Sequence, residues 1–189
     1  INSKYNIMTS SDYFSNYFSH LHNRLQTADP NDLQQATRLA FKVNQQKSKI
    51  IVVGNGGSAA MASHVTVDFT KAAGIRAVNF NEADLLTCFA NDYGYENWVA
   101  KSLEFYADDN DLVILISSSG QSINILNAAN YCSKNKINLI TLSGFNHQNP
   151  LSKLGNINFY INSNNYNYIE MSHHIILLSI VDIFAENLV

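Results

Sequence analysis

KIIVVGNGGSAAMASHV, Lys49 to Val65, is the stretch on which the fold turns. An apolar run ends at Gly54-Asn55-Gly56-Gly57-Ser58, and a helical pattern follows. A strand apolar on both faces, then a glycine turn, then a helix, is the opening of a parallel strand–helix unit. Glycine lets the backbone reverse sharply and lets a ligand approach it closely. The free N–H groups of a helix start favour an anion. Ser58 either caps the helix or holds a ligand oxygen with its hydroxyl. The stretch is not a dinucleotide fingerprint, because serine and alanine follow the glycines in "GNGGSA" and no acidic residue is placed at the end of "IRAVNF" to bind a ribose. It is not a P-loop either, since no Gly-Lys-Ser/Thr follows.

Working outward, "IRAVNF", "DLVILI", "INLITL" and "INFYI" are short, rich in Val and Ile, and nearly continuous in apolar character. They read as further strands buried on both faces. Helical stretches fall between them at about 58–71, 82–107 (with a break at Asn91–Gly94) and 121–134. A short turn lies near 150, and a long helix spans about 167–188. The alternation predicts an α/β three-layer sandwich on a parallel sheet, with its ligand site outside the carboxyl ends of the strands. Two helices come first. One carries Tyr13, Phe14, Tyr17, Phe18 and Leu21 at helical spacing, with Ser or Asp available as its cap. The other carries Leu33, Ala36, Leu39, Ala40 and Val43, and Asp29-Pro30-Asn31 separates the two. An aromatic stripe of this kind is either core or a subunit interface. The chain reads as one domain, with residues 1–47 a helical interface segment and 48–189 the α/β core.

A second loop matches the first. "ISSSGQS", Ile116 to Ser122, follows "DLVIL" and opens the helix "INILNAANYC". Serine hydroxyls and amides at a helix start make a phosphate cradle that needs no lysine. Two hydroxyl-rich loops at the carboxyl ends of strands in one parallel sheet point to a phosphate-ester site.

Composition excludes several other classes. The 189 residues are 46% hydrophobic and 14% charged, with a net charge of −3. That describes a globular domain with no broad basic field for nucleic acid. Cys88 and Cys132 sit in apolar segments far apart and match no metal or disulfide spacing, so they read as buried free thiols of a reducing compartment. No unbroken apolar run reaches the ~18 residues of a membrane span. "INSKYNIMTSSDYF" lacks the pattern of a signal peptide. The expectation is a cytoplasmic protein that contacts no membrane.

The stretches "VVGNGGSAAMASH", "ANDYGYENWV", "DLVILISSSGQSINILNAA" and "LITLSGF" resemble sugar isomerase (SIS) domains, and among them the phosphoheptose isomerases. The resemblance implies a five-stranded parallel sheet and a homotetramer with sites between subunits. The implied activity converts sedoheptulose 7-phosphate to D-glycero-D-manno-heptose 7-phosphate, the first step toward the heptose of lipopolysaccharide. No nucleotide cofactor is implied. Ser58, Ser117, Ser118, Ser119 and Ser122 would hold the phosphate beside Gly56 and Gly57, and Asn55 and Asp92 would meet sugar hydroxyls. Moving a carbonyl between C1 and C2 needs a base, an enediolate and a group that steadies the oxyanion. In the family this work falls to a His and a Glu on the helix after the glycine loop, and to a Gln and a His on the last helix. The same set binds zinc in many members.

Matched one at a time, His64 stands at the first histidine and Asp68 at the Glu position, where i and i+4 share a helix face. Glu170 stands at the Gln position, where with His64 it would orient the sugar or, with His64 and Asp68, make up the implied zinc set. Leu178 falls where the family has its catalytic histidine, and a leucine moves no proton. His173 matches a histidine that relatives also carry. His174 is extra and lies one turn before Leu178 on the same stripe, about 6 Å along the axis. It either replaces the missing acid/base or is an ordinary polar residue. With Asp68 as base and His64 beside it, His174 completes the catalytic expectation. The missing histidine keeps a second reading open, a non-catalytic SIS regulator that binds sugar phosphates and associates with the bacterial replication initiator. His147 reads as a surface residue. Trp98 and the tyrosines at 93–95 read as interface or pocket floor. Asn167 stands where relatives often show a sugar-binding aspartate.

Overall fold

The structure, a computed structural model, describes residues 11–187. The expected cap of the first helix and the reading of the N-terminal residues lie outside them. Helix α1 (Ser11–Leu25) leads to α2 (Pro30–Gln45), where Asp29 accepts from the Asn31 amide and Pro30 takes the first helical position. Both features are preferred at a helix start. Then come β1 (Ile50–Gly54), α3 (Gly57–Lys71), β2 (Ala77–Val78), α4 (Ala83–Tyr93), α5 (Trp98–Tyr106), β3 (Leu112–Ile116) and α6 (Ile123–Asn135). Strand β4 (Asn138–Gly144), a 3-10 turn (Pro150–Lys153), β5 (Ile157–Ile161) and α7 (Tyr166–Ala185) complete the chain. "IRAVNF" pairs over only two residues. The break in the 82–107 stretch falls at Gly94–Asn97, slightly later than the sequence suggests.

All five strands are parallel, in the order β2-β1-β3-β4-β5. Alternate side chains serve opposite layers. Ile50, Val52, Ile114, Ile116 and Leu142 pack on α2, α3 and α7, while Ile51, Val53, Val113 and Leu115 pack on Trp98, Leu103, Ile125 and Cys132. The chain leaves β1 in one direction to β2 and resumes on its other side at β3. This reversal is where ligand crevices form in such sheets. The register decides the rest: Gly54 pairs with Ile116, and Ile116 pairs with Leu142. The glycine loop and the serine loop therefore leave the sheet side by side at the same edge.

At the opposite edge, Lys49 places Nζ 2.6 Å from Asp108 and 2.7 Å from Asp111, riveting the start of β1 to the start of β3. Burial pulls the Lys49 ammonium down, but its hydrogen bonds to Asp108 and Asp111 more than offset this and leave its pKa raised.

Three expectations change here. Cys132 is buried but Cys88 is exposed, because α4 packs chiefly on α5 and buries none of its residues. The count of unbroken apolar residues misses that α7 is long and apolar enough to cross a membrane by length and composition; its Ile169, Ile176, Leu177 and Ile180 are spent on the sheet. Finally, the core half of the either/or reading of the aromatic stripe falls: Tyr13, Phe14 and Phe18 are exposed, touching one another and Tyr17 along α1, while Tyr17 also packs, tilted, at 4.7 Å on Tyr168 of α7.

Candidate active site

Both loops open into one cavity of about 150 Å³, lined by Asn55 and Ser58 from the first, Ser117, Ser118, Ser119 and Ser122 from the second, and Tyr166 and Glu170 from α7. A larger cavity of about 610 Å³ lies against α4, lined mainly by apolar groups such as Phe80, Leu85 and Phe89. Donor chemistry rather than size singles out the smaller one.

The cavity is built for an anion at two helix starts. Gly56 is the N-cap of α3, at φ 55°, and Ser122 is the N-cap of α6; neither helix receives a side-chain cap. Their first amides are thus left for a ligand. Ser58 is not the cap, as one reading allowed. It sits inside the first turn of α3, buried, with its side chain at the cavity. The Ser117 hydroxyl lies 3.0 Å from that of Ser122, and the buried Ser118 hydroxyl has no partner among the described residues. An unpaired buried hydroxyl costs free energy until a ligand oxygen meets it. A Cβ at Gly57 would meet the Glu170 carboxylate, so a side chain there would force the end of Glu170 to swing aside.

Asn55 is held by Asn124, which the motif reading passes over, and by Tyr95, one of the tyrosines read as interface or pocket floor. It exchanges amide hydrogen bonds with the buried Asn124 at 2.9 and 3.0 Å, and the Tyr95 hydroxyl reaches its Oδ1 at 3.3 Å. Tyr166, four residues before Glu170, is also new. The Asn124 signal, an amide in the first turn after the serine loop, is indistinguishable in sequence from ordinary turn chemistry.

A second cluster lies farther along α3, since His64 is six residues past Ser58, about 9 Å of helix rise. His64 Nε2 is 3.1 Å from Asp68 Oδ2, and its ring meets that of His174 edge-on with centroids 4.9 Å apart. His174 Nε2 is buried without a partner among the described residues. Burial lowers the His174 pKa, the neighbouring His64 lowers it further, and Asp68 partly opposes them. The net effect favours the neutral imidazole of His174. The neighbouring His173 is fully buried, 3.1 Å from the Ser143 carbonyl, and burial pushes its pKa down to about 4.

The expected residues therefore fall into separate groups. Asn55, Ser58, the serine loop and Glu170 share the cavity, while His64, Asp68 and His174 form the second cluster. Asp92 joins neither within the chain; it is exposed at the end of α4, accepting from Asn91 at 2.9 Å. Asn167 is exposed in the first turn of α7, and His147 is exposed with its ring edge-on to Tyr160. Among the described residues, no three His, Cys, Asp or Glu side chains converge to hold a metal ion. Glu170 faces the serines, so the donors of one chain, as they stand, do not fit the implied zinc.

The SIS domain profile matches residues 12–144. Over 118 residues the chain is 35% identical to the phosphoheptose isomerase of Helicobacter pylori, spanning 59% of this chain and 62% of that one, so less than two thirds of that relative is matched. It is 31% identical over 147 residues to the phosphoheptose isomerase of Aliarcobacter butzleri, covering 75% of this chain and 77% of that one. Among solved structures, a phosphoheptose isomerase from Francisella tularensis superposes with a TM-score of 0.83 at 25% identity, covering 95% of this chain and 100% of that one.

Proposed function

We propose, from the premise that this chain belongs to the SIS-domain family on its phosphoheptose isomerase branch, that it interconverts sedoheptulose 7-phosphate and D-glycero-D-manno-heptose 7-phosphate in the cytoplasm. The observation that carries this reading is the convergence of both loops on one cavity of hydroxyls and uncapped helix starts. The phosphate sits there, on Ser58, Ser117, Ser118, Ser119 and Ser122. The sugar then runs along the α3–α7 seam toward His64 and His174, a distance suited to an extended seven-carbon chain.

There Asp68 or its partner His64 removes the C1 proton of the ketose, forming the enediolate, and the proton returns at C2. Neutral His174 donates to the developing oxyanion and completes the exchange in place of the residue that Leu178 cannot supply. Glu170 orients the sugar beside the ester. A homotetramer is part of the proposal, supported by Tyr13, Phe14, Phe18, Met171 and Ile175, large apolar groups exposed in the single chain.

The experiment is incubation with sedoheptulose 7-phosphate while aldose formation is followed, with His174→Ala alongside. Turnover by the wild type that falls at least a hundredfold in the variant is expected. Leu178 favours one alternative, a sugar-phosphate-binding regulator that associates with the replication initiator. Retained binding of the sugar phosphate without turnover, together with capture of the initiator, would establish that reading instead.

A further inference from the structure

We infer that Asn149 is a positioning residue for the serine loop, holding Ser117–Ser122 in its binding shape through contact with Gly120; the inference rests on the phosphate reading of that cavity. Asn149 lies in the loop after β4, is 1% exposed, and does not line the cavity. Its amide is fixed on every side. Oδ1 accepts from the Ser152 amide at 2.9 Å, and Nδ2 is shared among the Ser143 hydroxyl at 3.1 Å, the Asn146 carbonyl at 2.8 Å and the Gly144 carbonyl at 3.4 Å.

Against this fixed amide lies the Cα of Gly120, so closely that any side chain at 120 would overlap Asn149 Oδ1. Gly120 also has φ +64°, a conformation most residues resist. Its carbonyl accepts from the Leu151 amide at 3.2 Å, and its own amide closes the turn onto the Ser117 carbonyl at 2.9 Å. The turn that aims Ser118 and Ser119 is thus seated on the Asn149–Leu151 segment. An asparagine serving only its own loop would be satisfied by its four hydrogen bonds and would need no glycine opposite it. The same segment is anchored to Ser143, whose carbonyl receives His173 of α7. One buried polar chain therefore joins the loop that holds the ester to the helix that carries Glu170 and His174.

Asn149→Ser keeps an oxygen to cap Ser152 and removes the amide that faces Gly120. Gly120→Ala tests the same contact while leaving Asn149 intact. Calorimetric titration with inorganic phosphate and with sedoheptulose 7-phosphate should show each variant binding about tenfold more weakly. In Asn149→Ser, KM should rise with kcat within twofold. The effect of Gly120→Ala should shrink at least fivefold in the Asn149→Ser background, because the overlap is gone, while the cost of the positive φ is common to both backgrounds. Unchanged phosphate affinity in folded variants, or strictly additive effects in the double variant, would overturn the inference and leave the phosphate site standing. A wild-type protein that binds neither ligand would overturn both.

Discussion

Replacing His173 with glutamine should remove part of the protein's sensitivity to acid, by an amount that follows from its burial. The folded chain holds this imidazole neutral, with its pKa down at about 4 against an ordinary 6.5. Because the folded value is the lower one, the unfolded chain takes up the proton first as pH falls. Stability from this group is therefore intact above pH 6.5, declines between 6.5 and about 4, and falls no further below that. At 1.36 kcal/mol per pH unit the full loss is about 3 kcal/mol, of which about 2 kcal/mol has gone by pH 5. Glutamine reaches the Ser143 carbonyl with an N–H that does not titrate. Urea unfolding at pH 7.5 and pH 5.0, at one protein concentration, would show the wild type losing about 2 kcal/mol more than His173→Gln. His64 and His174 are present in both proteins and cancel from the comparison. Equal losses in the two proteins would refute the assignment of that acid sensitivity to His173; His173→Leu, which also cannot titrate, checks that the result is not peculiar to glutamine.

Other substitutions test the site and its foundations. Glu170 brings a carboxylate to a cavity that no lysine, arginine or histidine lines. At a separation of about 6 Å, Coulomb repulsion of each phosphate charge is roughly 0.7–3 kcal/mol. Glu170→Gln should therefore tighten inorganic phosphate on the order of tenfold, and an unchanged or weaker Kd would contradict the placement. Changing Ser117 and Ser119 together to alanine removes two neutral hydrogen bonds worth about 0.5–1.5 kcal/mol each, so phosphosugar affinity should fall on the order of tenfold; equal affinity by calorimetry would count against the cradle. Lys49→Met leaves the fully buried Asp111 carboxylate without its cation, which should cost about 3–5 kcal/mol in urea unfolding and leave phosphate affinity of the folded protein unchanged. A loss under 1 kcal/mol would show the rivet to be dispensable.

Much of this architecture is legible in the chain because strand, turn and helix each leave a local mark. The run Ile50–Val53, the glycines after it and the periodic residues of α3 each follow from near neighbours alone. The serine loop is legible for the same reason. The shortness of β2 is not, since "IRAVNF" has the composition of a strand and only the edge position limits its pairing. Cys88 misleads because an apolar neighbourhood in sequence, Leu85 to Phe89, does not reveal that α4 packs chiefly on α5 and leaves all its residues at least partly exposed. Helical arithmetic places His174 one turn from Leu178, but its meeting with His64 follows from how α3 packs on α7. Asn124 and Asn149 stay hidden, because an asparagine that orients another loop and one that merely turns its own look alike until the chain is folded. Asp92 lies outside both clusters, at an exposed helix end whose surroundings in the single chain supply no ligand.

Among the described residues no cationic side chain lines the serine cavity, and this has a consequence for how the grip responds to its surroundings. An anion held by lysine or arginine is loosened as ionic strength rises, because mobile ions screen the attraction. Hydroxyls and peptide dipoles at contact distance leave little to screen. The one formal charge present, on Glu170, opposes the ligand, so added salt would quiet the repulsion and leave the attraction in place. Affinity for a phosphate ester would then hold steady or sharpen across conditions that strip such esters from cation-lined proteins.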